Sequence, residues 1–183
     1  MSKFSDRSKS ALLVIDVQVG VVGEAYERDA KVANMSKAID KARAASIPVI
    51  WVQHSDEGLV IESADWVIVP ELEPLPGEPK VRKIYRSSFE ETNLEEILKD
   101  LGVSHLYVCG AETNNCVRHT SHTALEKGYD VTLISDAHTT TGFEWDGYIV
   151  DAARVIDEQN INFMDYALPG RTARAIPVAE VAL

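Results

Sequence analysis

The chain has 183 residues, 45% of them apolar and 26% charged, which suits one folded domain with a real core and excludes a disordered chain. Its formal net charge of −11 argues against nucleic acid and anionic membrane surfaces as partners, since both are gripped through Lys and Arg. The two cysteines, Cys109 and Cys116, make neither a disulfide framework nor a zinc-type pair, so the expected setting is reducing and cytoplasmic.

Residues 1–10 are polar, a tail without the apolar core of a secretory signal, and no later run approaches the length of a membrane span. Residues 11–15 are continuously apolar and end at Asp16, the pattern of a strand buried on both faces. Val32, Met35, Ile39 and Ala42 fall at helical spacing, Ile47-Pro48 stops that helix, and residues 49–52 form a second buried strand running toward His54. From 54 to 79 the texture changes. Pro70, Pro74, Pro76, Gly77 and Pro79 break any long helix, which predicts a surface excursion around Trp66 of the kind that walls a pocket.

Residues 80–83 read as a short strand, and Thr92 with Glu95 reads as a capping box opening a helix that stops at Gly102. Residues 104–110 form a strand, 118–127 a helix and 130–134 a further strand. Residues 145–159 place Ile149, Ala152, Ala153 and Ile156 on one helical face, residues 160–164 read as a last strand, and 168–183 as a loosely held C-terminal tail. Strands alternating with helices predict a single domain over 1–183 with a three-layer α/β/α, doubly wound architecture. Neither a G-x-G-x-x-G after the first strand nor a phosphate-binding G-x-x-x-x-G-K-[ST] is present, so a nucleotide cofactor is not expected.

Ligands of open parallel sheets bind beyond the carboxyl ends of the strands. Asp16 and Lys83 end strands, and Cys116 follows one, at the hand-over to a helix whose unpaired N–H groups favour a thiolate. A thiol needs a base to become a nucleophile, and Asp16 is suited to that role, with Lys83 lowering the thiol pKa and offsetting the burial of the carboxylate. The competing account of each is ordinary: a small buried Cys, a turn-capping Asp, a solvated Lys.

Four stretches carry a wider resemblance: Leu13-Val14-Ile15-Asp16-Val17-Gln18, Lys83-Ile84-Tyr85-Arg86-Ser87-Ser88-Phe89, Gly110 through Val117, and Gly128-Tyr129-Asp130-Val131 with Asp136-Ala137. In this order they resemble the cysteine hydrolases related to isochorismatase, over about residues 11–164. The resemblance implies a sheet of about six mainly parallel strands and a catalytic triad falling on Asp16, Lys83 and Cys116. It also implies a cis peptide between Ala111 and Glu112, which would turn the Glu112 N–H toward the Cys116 N–H to form an oxyanion hole. By the same analogy the expected assembly is a homo-oligomer, a dimer or tetramer.

The expected reaction is cleavage of an amide or ureido C–N bond in a small polar molecule through a thioester. A vinyl-ether hydrolase of the isochorismatase type and a non-catalytic binding protein on the same scaffold are the alternatives. Residues 51–56 lack the Asp-x-His pattern of the metal-dependent nicotinamidases, so no metal is expected. His119 and His122 share a helical face, but surface or packing roles suit them better than ligation, and His138 reads as part of a strand-end turn. Gln18, His54, Trp66, Tyr85 and Phe143 are the candidates for substrate-binding walls, because small-molecule pockets combine aromatic rings with a few polar groups. Cys109 is mid-strand and reads as inert core.

Overall fold

The computed structural model describes residues 2–183. Strand β1 (Lys9–Ile15) lies in the interior of the sheet because its sequence offers no polar face beyond the first turn of chain. Its side chains alternate between two cores: Leu12 and Val14 enter one, Ala11, Leu13 and Ile15 the other. Helix α1 (Val19–Val22) is a single turn after β1, and α2 (Arg28–Ala44) covers the first core with Val32, Met35, Ile39 and Ala42. Strands β2 (Val49–His54) and β3 (Lys80–Lys83) extend the sheet on one side. Helix α3 (Leu94–Asp100) then leads to β4 (Val103–Ala111), which pairs with the other side of β1. A π-helical turn (Thr113–Val117) runs into α4 (Arg118–Lys127), followed by β5 (Asp130–Thr139).

The remaining elements are the hairpin of β6 (Phe143–Trp145) and β7 (Tyr148–Val150), α5 (Ala152–Asp165) and β8 (Ala173–Ile176). The main sheet has six strands in the order β3-β2-β1-β4-β5-β8, and every neighbouring pair is parallel. Leu94 and Leu98 of α3, Leu125 of α4 and Phe163 of α5 fill the second core, opposite α2. This is the doubly wound three-layer sheet that the alternating pattern predicts. Among the described residues no helix is long and apolar enough to cross a membrane.

Several local expectations need correction. Residues 145–150 are hairpin rather than helix, because Asp146 (φ 49°) and Gly147 (φ 78°) supply the two left-handed residues of a tight turn. Helix α5 begins only at the Asp151 cap, whose Oδ1 accepts from the N–H groups of Ala153 and Arg154 at 2.9 and 3.3 Å, and it continues through 160–164 to bury Phe163. The C-terminal stretch is docked: β8 closes the sheet beside β5, Val178 and Val181 are buried, and Lys41 Nζ donates to their carbonyls at 2.7 and 3.1 Å. The N-terminal tail is tied down too, with the Phe4 ring 4.7 Å from that of Tyr129. The helix predicted to start at a capping box does start near it, but Thr92 Oγ1 accepts from the Leu94 N–H while Glu95 pairs with Lys127.

Candidate active site

The chain leaves β1 toward β2 and β3, then returns to its other side with β4, so the strand order reverses between β1 and β4. A crevice opens at the carboxyl ends of strands at such a point. Register aligns these ends: Ile15 lies beside Gly110 and beside Val52, and His54 lies beside Lys83. Gly110 has φ +124°, and a Cβ there would sit 2.1 Å from the Ile15 carbonyl oxygen, so only glycine lets β4 pass this close to the end of β1. The Ala111–Glu112 peptide is cis, and the π-helical turn after it carries Cys116.

Asp16 turns out of β1 with φ 49° and donates its N–H to the Val52 carbonyl at 2.9 Å. Lys83 Nζ is 2.6 Å from Asp16 Oδ2, donates to Cys116 Sγ at 3.1 Å and stands 3.3 Å from His54 Nδ1. Asp16 and Lys83 are 1% and 2% exposed, while Cys116 is half-buried. The Asp16 carboxyl is hydrogen-bonded to both Lys83 and Cys116. Three side chains from three strand ends therefore meet around one sulfur.

Burial sets the titration of this cluster. It pushes the Asp16 carboxyl above its ordinary value, with the Lys83 charge and hydrogen bond opposing. It also pushes the Cys116 thiol up, to about 12, helped by the negative charge of Asp16 and opposed by Lys83. Lys83 opposes the rise, as expected, but the net direction is up, because burial together with the neighbouring carboxylate outweighs it. Burial thus favours the neutral thiol of Cys116 beside the Asp16 carboxyl.

The predicted pocket residues divide. His54 lines a cavity of about 700 Å³ together with Val19, Leu59, Glu112 and Thr141, and its Nε2 lies 3.1 Å from Asp56 Oδ2. Gln18 is wholly buried and forms no wall. Its side chain ties three segments together, accepting from the His54 N–H at 2.8 Å and donating to the carbonyls of His54 and Trp66 at 3.0 and 2.8 Å. Trp66 is not among the residues lining the cavity, and the Arg82 guanidinium lies over its ring, 5.5 Å from the centroid. Tyr85 is exposed beyond β3, and Phe143 borders a separate hollow next to the hairpin. Side-chain direction in these irregular segments depends on contacts that local sequence does not encode.

Glu112 does face the cavity, where Asn115 Nδ2 and Thr141 Oγ1 donate to its carboxylate at 2.7 and 3.3 Å. Sequence reasoning missed Glu24 and Asp65 on the same wall, because neither stands at a strand end or in a recognisable motif. It also missed the role of His138. This residue is buried between Thr113 of the π-helical turn and Asn160 of α5, with Nδ1 2.9 Å from Thr113 Oγ1 and Nε2 3.0 Å from Asn160 Oδ1. His119 Nδ1 donates to the Asn115 carbonyl at 2.8 Å, and His122 stacks on Tyr166 with ring centroids 4.9 Å apart. Among the described residues no three His, Cys, Asp or Glu side chains converge to hold a metal ion.

Residues 10–157, which include Asp16, Lys83 and Cys116, match the family description "Isochorismatase domain". The chain belongs to the isochorismatase family. A streptothricin hydrolase of Streptomyces noursei is 36% identical over 140 residues, 73% of this chain and 56% of that protein. The chain thus spans about half the length of the streptothricin hydrolases it matches. An uncharacterised isochorismatase family protein of Bacillus subtilis is 33% identical over 155 residues, 80% of this chain and 86% of that one. Among solved structures, an isochorismatase from Pseudomonas putida KT2440 superposes with a TM-score of 0.86 at 27% identity, covering 98% of this chain and 95% of its own.

Proposed function

We propose that this member of the isochorismatase family is a cysteine-dependent hydrolase that cleaves an amide or ureido C–N bond of a small molecule. The observation that carries the reading is the contact of Lys83 Nζ with both Asp16 Oδ2 (2.6 Å) and Cys116 Sγ (3.1 Å) in a nearly closed site. Similarity to a streptothricin hydrolase and, at 26% identity, to a ureidoacrylate amidohydrolase of Agrobacterium fabrum supports the class of bond.

In the proposed reaction the Cys116 proton passes to Asp16 as sulfur attacks the carbonyl carbon, so a free thiolate need not accumulate. Lys83 holds the charge of the cluster during the transfer. The backbone N–H groups of Glu112 and Cys116 are the candidate donors to the oxyanion. Asp16 then returns the proton to the departing nitrogen, the C–N bond breaks and a thioester remains. Water gives a proton to Asp16 and attacks the thioester. Cys116 leaves as sulfur and regains that proton, and the acid is released.

Ammonia release from a panel of primary amides and ureides tests this. Cys116→Ala abolishes turnover while leaving the circular dichroism spectrum and unfolding midpoint near those of the parent. Unchanged turnover in that variant eliminates the mechanism, and pyruvate release from a vinyl ether with no amide cleavage redirects the chemistry to isochorismatase-type hydrolysis.

A further inference from the structure

Beyond Asp16 and Cys116 the Lys83 ammonium touches a fourth residue, His54, whose role here rests on the hydrolase reading above. An ammonium carries three N–H donors and no acceptor. Lys83 Nζ meets three partners: Asp16 Oδ2 at 2.6 Å, Cys116 Sγ at 3.1 Å and His54 Nδ1 at 3.3 Å. The Lys83 side chain is wholly buried, so an N–H left without an acceptor there is costly. Sulfur is the weakest acceptor of the three. Without His54 the ammonium gains by turning toward a better acceptor, and the contact it gives up first is the one to Cys116.

His54 is itself held on every side. The parallel register of β2 and β3 sets it beside Lys83, so ring and amine leave the same face of the sheet. Its N–H donates to Gln18 Oε1 at 2.8 Å and its carbonyl accepts from Gln18 Nε2 at 3.0 Å, which clamps the backbone. At the far edge of the ring, Nε2 lies 3.1 Å from Asp56 Oδ2. Asp56 is fixed in turn, because its Oδ1 accepts from the Gly58 and Leu59 N–H groups, each at 2.8 Å. The Leu59 N–H, with His54 and the Gly58 N–H, holds the Asp56 carboxyl below the usual range, so it is a carboxylate and can only accept. That calls for the proton on Nε2 and leaves the Nδ1 lone pair to Lys83. The tautomer that the Asp56 loop demands is the one that the lysine needs.

We propose that His54 is a positioning residue for the triad: its Nδ1 accepts the third N–H of Lys83 and so keeps the ammonium on the Cys116 sulfur, while Asp56 holds the imidazole in the Nε2–H tautomer. Nitrogen-15 NMR of the imidazoles in the parent protein, in mildly alkaline buffer, reads the tautomer directly, with the His54 signals assigned by their loss in His54→Asn. The Nε2–H form is expected. An Nδ1–H or doubly protonated ring overturns the assignment, because neither accepts from an ammonium at Nδ1. His54→Leu fills the place of the ring without an acceptor. It lowers kcat on a cleaved amide roughly tenfold, the scale of one lost hydrogen bond to a charged group, with KM little changed. Iodoacetamide labelling of Cys116 slows roughly fivefold in the same variant, because the sulfur loses part of the Lys83 charge that favours its thiolate. His54→Asn, whose Oδ1 stands near the position of Nδ1, restores most of both rates. A raised KM with kcat and labelling unchanged in His54→Leu makes His54 a wall of the cavity alone and overturns the positioning role, as does a His54→Asn variant no better than His54→Leu. If the parent cleaves no amide, the hydrolase reading falls, and the tautomer and the labelling rates still decide whether His54 holds Lys83 on the sulfur.

Discussion

At Cys116 the charge that raises the thiol and the base that would activate it are the same residue, Asp16. Reactivity and catalysis therefore separate on mutation. Asp16→Asn removes the like-charged neighbour and leaves Lys83 to the sulfur alone, so the thiol pKa falls from its value of about 12. Iodoacetamide labelling of Cys116 near neutral pH then speeds by roughly tenfold for each unit of pKa lost, while turnover collapses because nothing takes the proton. Mass spectrometry of labelled peptides checks this, with buried Cys109, itself pushed up to about 12, as the unreactive control. A slower labelling rate in Asp16→Asn contradicts the electrostatic account. At this scale Asp16 and Cys116 were legible because each stands at or beyond the end of a short apolar run, and Lys83 because it ends a short strand in a stretch that carries the family resemblance. Gln18 and Trp66 were misplaced, since a residue type announces a pocket wall equally well whether it points into the cavity or into the protein.

The elements hold the site through a few close approaches. β4 passes within contact of the end of β1 only because residue 110 is glycine, and the cis peptide and the turn bearing Cys116 follow directly. Gly110→Ala forces a Cβ against the Ile15 backbone in a left-handed conformation, and the expected loss is about 3 kcal/mol or more of unfolding free energy, read from urea denaturation. Activity falls further than stability in that variant, because the same displacement moves Asp16 relative to Cys116. A substitution tolerated within 1 kcal/mol, roughly the scatter of surface changes, rules out this role. The β1, β2 and β4 strands were legible as buried runs, and β3 as a short strand. Helix α5 and strand β8 were not. Residues 160–164 are apolar enough for either state, and what decides for helix is the Asp151 cap together with burial of Phe163 against the second core. β8 is a four-residue edge strand between Gly170 and Pro177, too short to signal itself, so its pairing with β5 supplies order that its own sequence does not announce.

Over the whole molecule, one part of the pH dependence traces to the buried group that joins the sheet, the π-helical turn and α5. Burial lowers the His138 imidazole from 6.5 to about 4. The unfolded chain thus binds a proton that the folded protein refuses between those values. Its contribution to stability is complete above pH 6.5 and is lost as pH falls toward 4, on the order of 3 kcal/mol across the window. Urea midpoints measured through that range fall more steeply for the parent than for His138→Asn, which carries no titrating group; parallel slopes refute the linkage. By itself the sequence determined the parallel, doubly wound sheet, because runs buried on both faces allow little else, and it marked an acid, an amine and a thiol at strand ends. Only the tertiary structure decided that these three touch and that burial pushes the thiol up against the pull of Lys83. Pattern follows local periodicity, whereas desolvation and Coulomb interaction act through space between residues far apart along the chain.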